Sequence, residues 1–226
     1  MDLVNAVEMG SIRQVKKCLA NGADVNKPNK YGETPLERAY CNNDGKLVRF
    51  LLKSGAKIVG PWFGGLISLN QNAAILKQLL KAGLDPNGDY ISERTLLTAA
   101  IRRGCTRIVS CLLDAGANPN MHEPGELGGT PIMFAAYYNR VYILEKLFAY
   151  GADVNMVDYV GFNALFYANM GYGTMSVCRW LVEHGINVNQ RGKNGVSVLT
   201  QFGDPRQSGR KLTNVEKYLI THGATY

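Results

Sequence analysis

The five residues GADVN occur twice, at 22–26 and 151–155, with 129 positions separating the two glycines. Looser copies are SGAKI at 54–58, AGLDPN at 82–87, AGANPN at 115–120, HGINVN at 184–189 and HGATY at 222–226. Their glycines, Gly22, Gly55, Gly83, Gly116, Gly151, Gly185 and Gly223, are spaced by 33, 28, 33, 35, 34 and 38 residues. This period constrains the fold more than any other feature, because a chain that rewrites one unit so often stacks its units against one another.

Each glycine follows an apolar pair with helical spacing, such as Leu51 and Leu52 or Leu112 and Leu113. Glycine at such a place ends a helix in the left-handed conformation, which costs a residue with a Cβ about 1 kcal/mol or more. A start signal follows each stop, clearest as GETPLERA at 32–39 and GGTPIMFA at 128–135. Threonine caps the exposed N–H groups of a helix start, proline fits the first helical position, and the next residue, Leu36 or Ile132, begins a buried face. RTLLTAA at 94–100, FNALFYA at 162–168 and VSVLTQF at 196–202 are weaker copies. Each unit therefore reads as turn, helix, short connection, helix and glycine stop.

These signals resemble the ankyrin repeat, whose signature is a period of about 33 residues with T-P-L-H-x-A opening the first of two helices. The resemblance covers essentially the whole chain. It implies an all-α repeat solenoid of about seven stacked helix-turn-helix repeats with connecting β-hairpin loops. The expected organisation is a single domain, 1–226, with units near 1–26, 27–58, 59–87, 88–120, 121–155, 156–189 and 190–226. Such a unit cannot bury its own apolar face, so truncating Leu52 or Leu113 to alanine is expected to cost about 2–5 kcal/mol.

Several positions depart from the family pattern. The signature histidine is replaced by Glu37, Ile67, Thr98, Met133, Phe166 and Thr200, which predicts weaker local stability than in a consensus array. The third unit, around GPWFGGLISL at 60–69, is short and has no Thr-Pro start, and Trp62 reads as a wedge filling the gap. The seventh is long, through GDPRQSGRKLTN at 203–214. The first begins directly at Leu3 and Ala6, as a capping unit would.

No catalytic constellation is legible. His184 and His222 both precede a stop glycine and read as helix-end groups near the last carbonyls, and His122 sits in the loop MHEPGELGG with too few ligands for a metal. The five cysteines include no C-x-x-C and read as buried thiols in a reducing compartment. There is no phosphate-binding G-x-x-x-x-G-K-[ST], and GYGT at 171–174 reads as an expanded connection between helices. The expectation is a non-enzyme with no cofactor and no metal. No stretch approaches the ~18 consecutive apolar residues of a membrane span. The start, MDLVNAVEMG, lacks the basic and apolar blocks of a leader. The chain is accordingly expected to be cytoplasmic, or delivered into a host cytosol, with no membrane partner.

Function is therefore expected at the concave groove that, in the family, hairpin tips and first helices form to bind a protein. Positions after the buried alanine of each first helix are Glu8 and Met9, Cys41 and Asn42, Arg102 and Arg103, Tyr137 and Tyr138, and Met170 with Tyr172. Hairpin tips add Tyr31, Tyr90, Tyr159 and Phe162. Tyrosine and arginine dominate binding hot spots because they join large contact area to directional polar groups. Arg102, Arg103, Tyr137, Tyr138, Tyr172, Tyr90, Tyr159 and Phe162 are the candidate partner-binding residues. Tyr40 and Tyr167 are expected to pack between repeats instead. The net charge of +7 favours an acidic protein, bound by a monomer that masks or inhibits it as an immunity protein or host-directed factor would. The alternative is nucleic-acid or phosphorylated-ligand binding through basic clusters in the second and last repeats.

Overall fold

The computed structural model describes residues 2–58, 72–88, 95–125, 127–201, 204, 207 and 211–226. Trp62, Tyr90 and the start of the third unit lie outside the described residues.

Twelve α-helices are found among the described residues. They are α1 (Leu3–Glu8), α2 (Ile12–Ala20), α3 (Pro35–Cys41), α4 (Gly45–Lys53), α5 (Ala73–Lys81) and α6 (Leu96–Arg103), then α7 (Thr106–Asp114), α8 (Pro131–Tyr137), α9 (Val141–Ala149), α10 (Ala164–Met170), α11 (Met175–Glu183) and α12 (Asn214–Thr221). The chain forms two compact units, one of residues 1–96 with 114–116, the other of residues 97–113 with 117–226. In the first, α1 pairs with α2 and α3 with α4, α1 stacks on α3, and α4 lies against α5. In the second, α8 pairs with α9 and α10 with α11, α8 stacks on α10, and α9, α11 and α12 form the outer row. In the seventh repeat, residues 198–201 form turns.

The stop phrase closes α2, α4, α5, α9, α11 and α12 by a two-bond motif. At α2, the Gly22 N–H donates to Leu19 O at 3.0 Å and the Ala23 N–H to Cys18 O at 3.1 Å, with φ of +84° at Gly22. The final asparagine of the phrase has a second task. The Asn120 side-chain amide donates to Gly151 O at 2.8 Å and its oxygen accepts the Asp153 N–H at 2.8 Å. Asn155 binds Gly185 O at 3.0 Å and the Asn187 N–H at 2.7 Å in the same way. Each asparagine thus fastens its own repeat to the helix end of the next.

The connections follow the hairpin path as tight turns. Among the described residues the only β-bridge is an isolated one between Arg191 and Ser197. The Asp158 N–H donates to Phe162 O and the Gly192 N–H to Val196 O, both at 2.9 Å, which closes each tip. Lys193 N–H to Val160 O, at 2.8 Å, ties one tip to the next.

The signature histidine's place is filled in different ways. Glu37 accepts the Thr34 N–H at 2.7 Å while Thr34 accepts the Glu37 N–H at 3.2 Å, a reciprocal cap. In α8 the Thr130 N–H meets only the Met133 sulfur, at 3.3 Å. Tyr40 is fully buried, and Tyr167 is buried with its hydroxyl donating to Asp158 at 3.0 Å and its ring edge to face with Phe134 of the preceding repeat at 5.8 Å. Two expectations need correction. Leu51 is the fully enclosed member of its pair and Leu52 is half-buried, so the truncation cost belongs to Leu51. Cys111 and Cys178 are buried and Cys18 and Cys105 half-buried, but Cys41, the last residue of α3, is exposed.

Candidate functional site

The second unit brings four of the candidate residues into one row. Arg102, in the last turn of α6, places its guanidinium 5.7 Å from the centre of the Tyr138 ring. Tyr138 meets Tyr137 edge to face at 4.9 Å, and Tyr137 meets Tyr172 edge to face at 6.1 Å. Such cation–π and edge-to-face contacts hold large side chains in fixed orientations while leaving them open to a ligand. Tyr172 is 73% exposed, Tyr137 and Tyr138 are half-buried, and Met170 beside them is exposed.

Local sequence explains the row. Tyr137 ends α8, Tyr138 caps it, and Asn139 turns the chain into α9 with φ of +55°, a conformation that asparagine tolerates. Residues 138–140 make that connection, whereas 171–174 make the one after α10, one residue more. The expanded connection read from GYGT carries Tyr172 back to α8, where its N–H donates to Tyr137 O at 2.7 Å. A Cβ on Gly171 would lie 2.4 Å from that same oxygen, so only glycine permits the approach.

The remaining candidates fall elsewhere. Arg103 is exposed and outside this chain of contacts. Tyr159, half exposed at its tip, stacks on His122 at 5.3 Å and lies over Gly128, and its N–H donates to Leu127 O. Phe162 stacks on Phe166 at 4.3 Å and against Gly192, which makes it a packing residue of the tip. Tyr90 is outside the described residues. Leu127, 53% exposed next to Tyr159, was not singled out from sequence, and its only signal is an apolar residue in an otherwise polar loop.

The histidines behave as helix-end and turn groups. His184 Nδ1 lies 2.7 Å from Trp180 O and His222 Nδ1 2.8 Å from Tyr218 O, each donating as a neutral or charged imidazole. His122 Nδ1 is 2.6 Å from Gly128 O. Among the described residues no three His, Cys, Asp or Glu side chains gather as metal ligands would. In the first unit the equivalent positions form a polar network: Arg38 pairs with Glu33 and Glu8, and Asn42 donates to Val7 O at 3.2 Å. Among the described residues the row of ring contacts lies in the second unit.

Family models for ankyrin repeats match residues 3–55, 66–158 and 160–193. The chain is 31% identical over 203 residues to ankyrin repeat protein FPV014 of Fowlpox virus, covering 88% of this chain and 39% of that protein, so it spans well under half the length of this relative. It is 30% identical over 173 residues to ankyrin repeat protein YahD of Escherichia coli, covering 71% of this chain and 84% of YahD. The solved ankyrin repeat domain of Bcl-3 superposes with a TM-score of 0.78 over 97% of this chain and 98% of that one, at 22% identity, which shows the shared fold. With stop glycines, Thr-Pro helix starts and paired helices repeating at the family period, this chain belongs to the ankyrin repeat family.

Proposed function

We propose that this chain binds one protein partner along the row Arg102, Tyr138, Tyr137 and Tyr172 and masks that partner's working surface. Ankyrin repeats are protein-interaction modules, and the observation that carries this reading is the unbroken run of ring contacts ending at the exposed Tyr172. Oriented tyrosines lose little side-chain entropy on binding and present both apolar faces and hydroxyl groups. Arg102 at one end, on a chain of net charge +7, favours an acidic partner. A monomer that covers its partner fits a toxin-neutralising or host-directed role without catalysis. The proposed compartment is a cytosol, where five free thiols stay reduced.

The test compares capture of partners by the wild type and by an Arg102→Glu, Tyr172→Ala variant with an unchanged melting curve. Tyr172 is the better target than Tyr137, whose ring also packs on the neighbouring connection. Binding of the captured protein is expected to weaken at least about tenfold. Equal affinity for both forms would overturn the groove assignment.

A further inference from the structure

We infer that the outer face of the first unit docks on an anionic lipid bilayer. Helices α2, α4 and α5 form this face and contain no aspartate or glutamate. Counted back from each stop glycine, position −6 is Lys16, Arg49 and Lys77 in the three helices. Position −9 adds Arg13 and Lys46, and position −2 adds Lys53 and Lys81. With Lys17 these make eight cations, all of them exposed. None forms an ion pair among the described residues, where the only pairs are those of Arg38. The helices are neighbours: Lys16 lies 5.6 Å from the centre of the Phe50 ring on α4, and the Asn72 side chain before α5 donates to Asn43 before α4 at 2.6 Å.

The pattern is particular to this unit. The later outer helices, α7, α9, α11 and α12, carry Arg107, Lys146, Arg179 and Lys217 against Asp114, Glu145, Glu183 and Glu216, so their charges cancel. Interspersed signs are what a merely solvated helix surface shows, whereas eight like charges in rows repel one another and attract an anionic surface, an attraction that salt screens.

Three features favour a bilayer over nucleic acid. First, six of the eight cations are lysines, compact charges on flexible stems without the bidentate fork that reads phosphodiesters. Second, the helix N-termini that would clamp phosphates are already capped by the side chains of Ser11, Asp44 and Asn72, and Asp44 adds a repelling carboxylate. Third, none of the exposed large apolar or aromatic side chains found in the structure lies on these helices, so there is nothing to stack on bases. Helices about 8–10 Å apart and about 13 Å long spread the cations over two dimensions. Mobile headgroups can gather beneath such an array, and each lysine or arginine adds to the attraction. The association is peripheral and needs no spanning helix; it departs from the expectation of no membrane partner, which rested on hydropathy and so bears only on spanning segments.

The experiment is flotation of the full chain with vesicles of phosphatidylcholine alone or with about one-third phosphatidylserine. Binding is expected only to the anionic vesicles and is expected to be lost as salt shortens the screening length. Lys16→Glu, Arg49→Glu, Lys77→Glu should reduce partitioning about a hundredfold, and the glutamine version of the same triple should reduce it less. Both are checked for unchanged helicity. The triple Arg107→Glu, Lys146→Glu, Arg179→Glu makes the same change in net charge on the other unit and should still float. No binding to anionic vesicles, or equal loss with either glutamate triple, overturns the inference. So does a mixed-sequence DNA duplex that binds through the position −6 row while vesicles do not. Tyr172→Ala should float like the wild type, which separates this face from the partner-binding row.

Discussion

At the scale of single residues, Asn26, Asn120, Asn155 and Asn189, each the last letter of its phrase, use both ends of the amide across a repeat boundary. Neither alanine nor aspartate can replace Asn155: alanine loses both bonds, and aspartate keeps the acceptor but faces Gly185 O without a donor. Asn155→Ala is expected to cost about 1–2 kcal/mol in urea unfolding, since the site is partly solvated, with Asn155→Asp no better. An unchanged midpoint for both would show that the bonds add nothing to stacking. Glu37 makes a second residue-scale case. Burial raises its pKa above the usual 4.5, outweighing its bonds to Thr34, and one carboxylate oxygen is buried without a partner. The folded chain therefore holds this proton to higher pH than the unfolded chain does. Its contribution to stability is complete below 4.5 and falls as pH rises through the folded pKa. Glu37→Gln keeps an oxygen for the Thr34 N–H and should flatten that dependence. A pH profile identical to that of the wild type would assign the slope to other carboxylates.

At the scale of elements, the two-helix unit was legible because its punctuation is local chemistry: a glycine that takes up positive φ with no Cβ penalty, and a Thr-Pro pair that caps and opens a helix. The asparagine bonds were not legible, because the letters sit 31 or 30 positions from the carbonyls they meet. The row of ring contacts was half legible. Helix spacing brings Tyr137 and Tyr138 to one turn, but Phe162, read as a tip residue like Tyr159, stacks on Phe166 and meets the neighbouring repeat's Gly192. The extended 171–174 connection allows a direct comparison of two glycine roles. At Gly116 a Cβ would meet nothing within 4 Å, but φ is +89°, so alanine should cost only about 1–2 kcal/mol of backbone strain. At Gly173 a Cβ would lie 2.3 Å from Ala168 O, and the connection must shift. Gly173→Ala should cost about 3 kcal/mol and, by displacing Tyr172, weaken partner binding as well. If Gly173→Ala melts like the wild type, the connection is not the rigid element that holds the row.

At the scale of the whole molecule, stacking makes stability a sum of local terms, so each unit responds to what is on its own surface. The charge asymmetry was present in the sequence from the start, yet counting charge by repeat conceals it, because inner helices and loops dilute the outer rows. Only the assignment of α2, α4 and α5 to one face separates eight unpaired cations from the balanced helices of the second unit. Neighbouring helices about 8–10 Å apart put these cations about one Debye length from one another at physiological salt, but well beyond the length of about 3 Å at 1 M. Raising sodium chloride should therefore slow hydrogen exchange of the buried amides of α2 and α4 by about fivefold, equivalent to about 1 kcal/mol of relieved repulsion. The amides of α9 and α11 serve as the internal reference, since salt effects unrelated to net charge act on both units alike. The triple Lys16→Glu, Arg49→Glu, Lys77→Glu should abolish the difference by placing carboxylates among the remaining cations. Equal salt responses in the two units would mean that the lysine stems hold the charges far enough apart for water to screen them already.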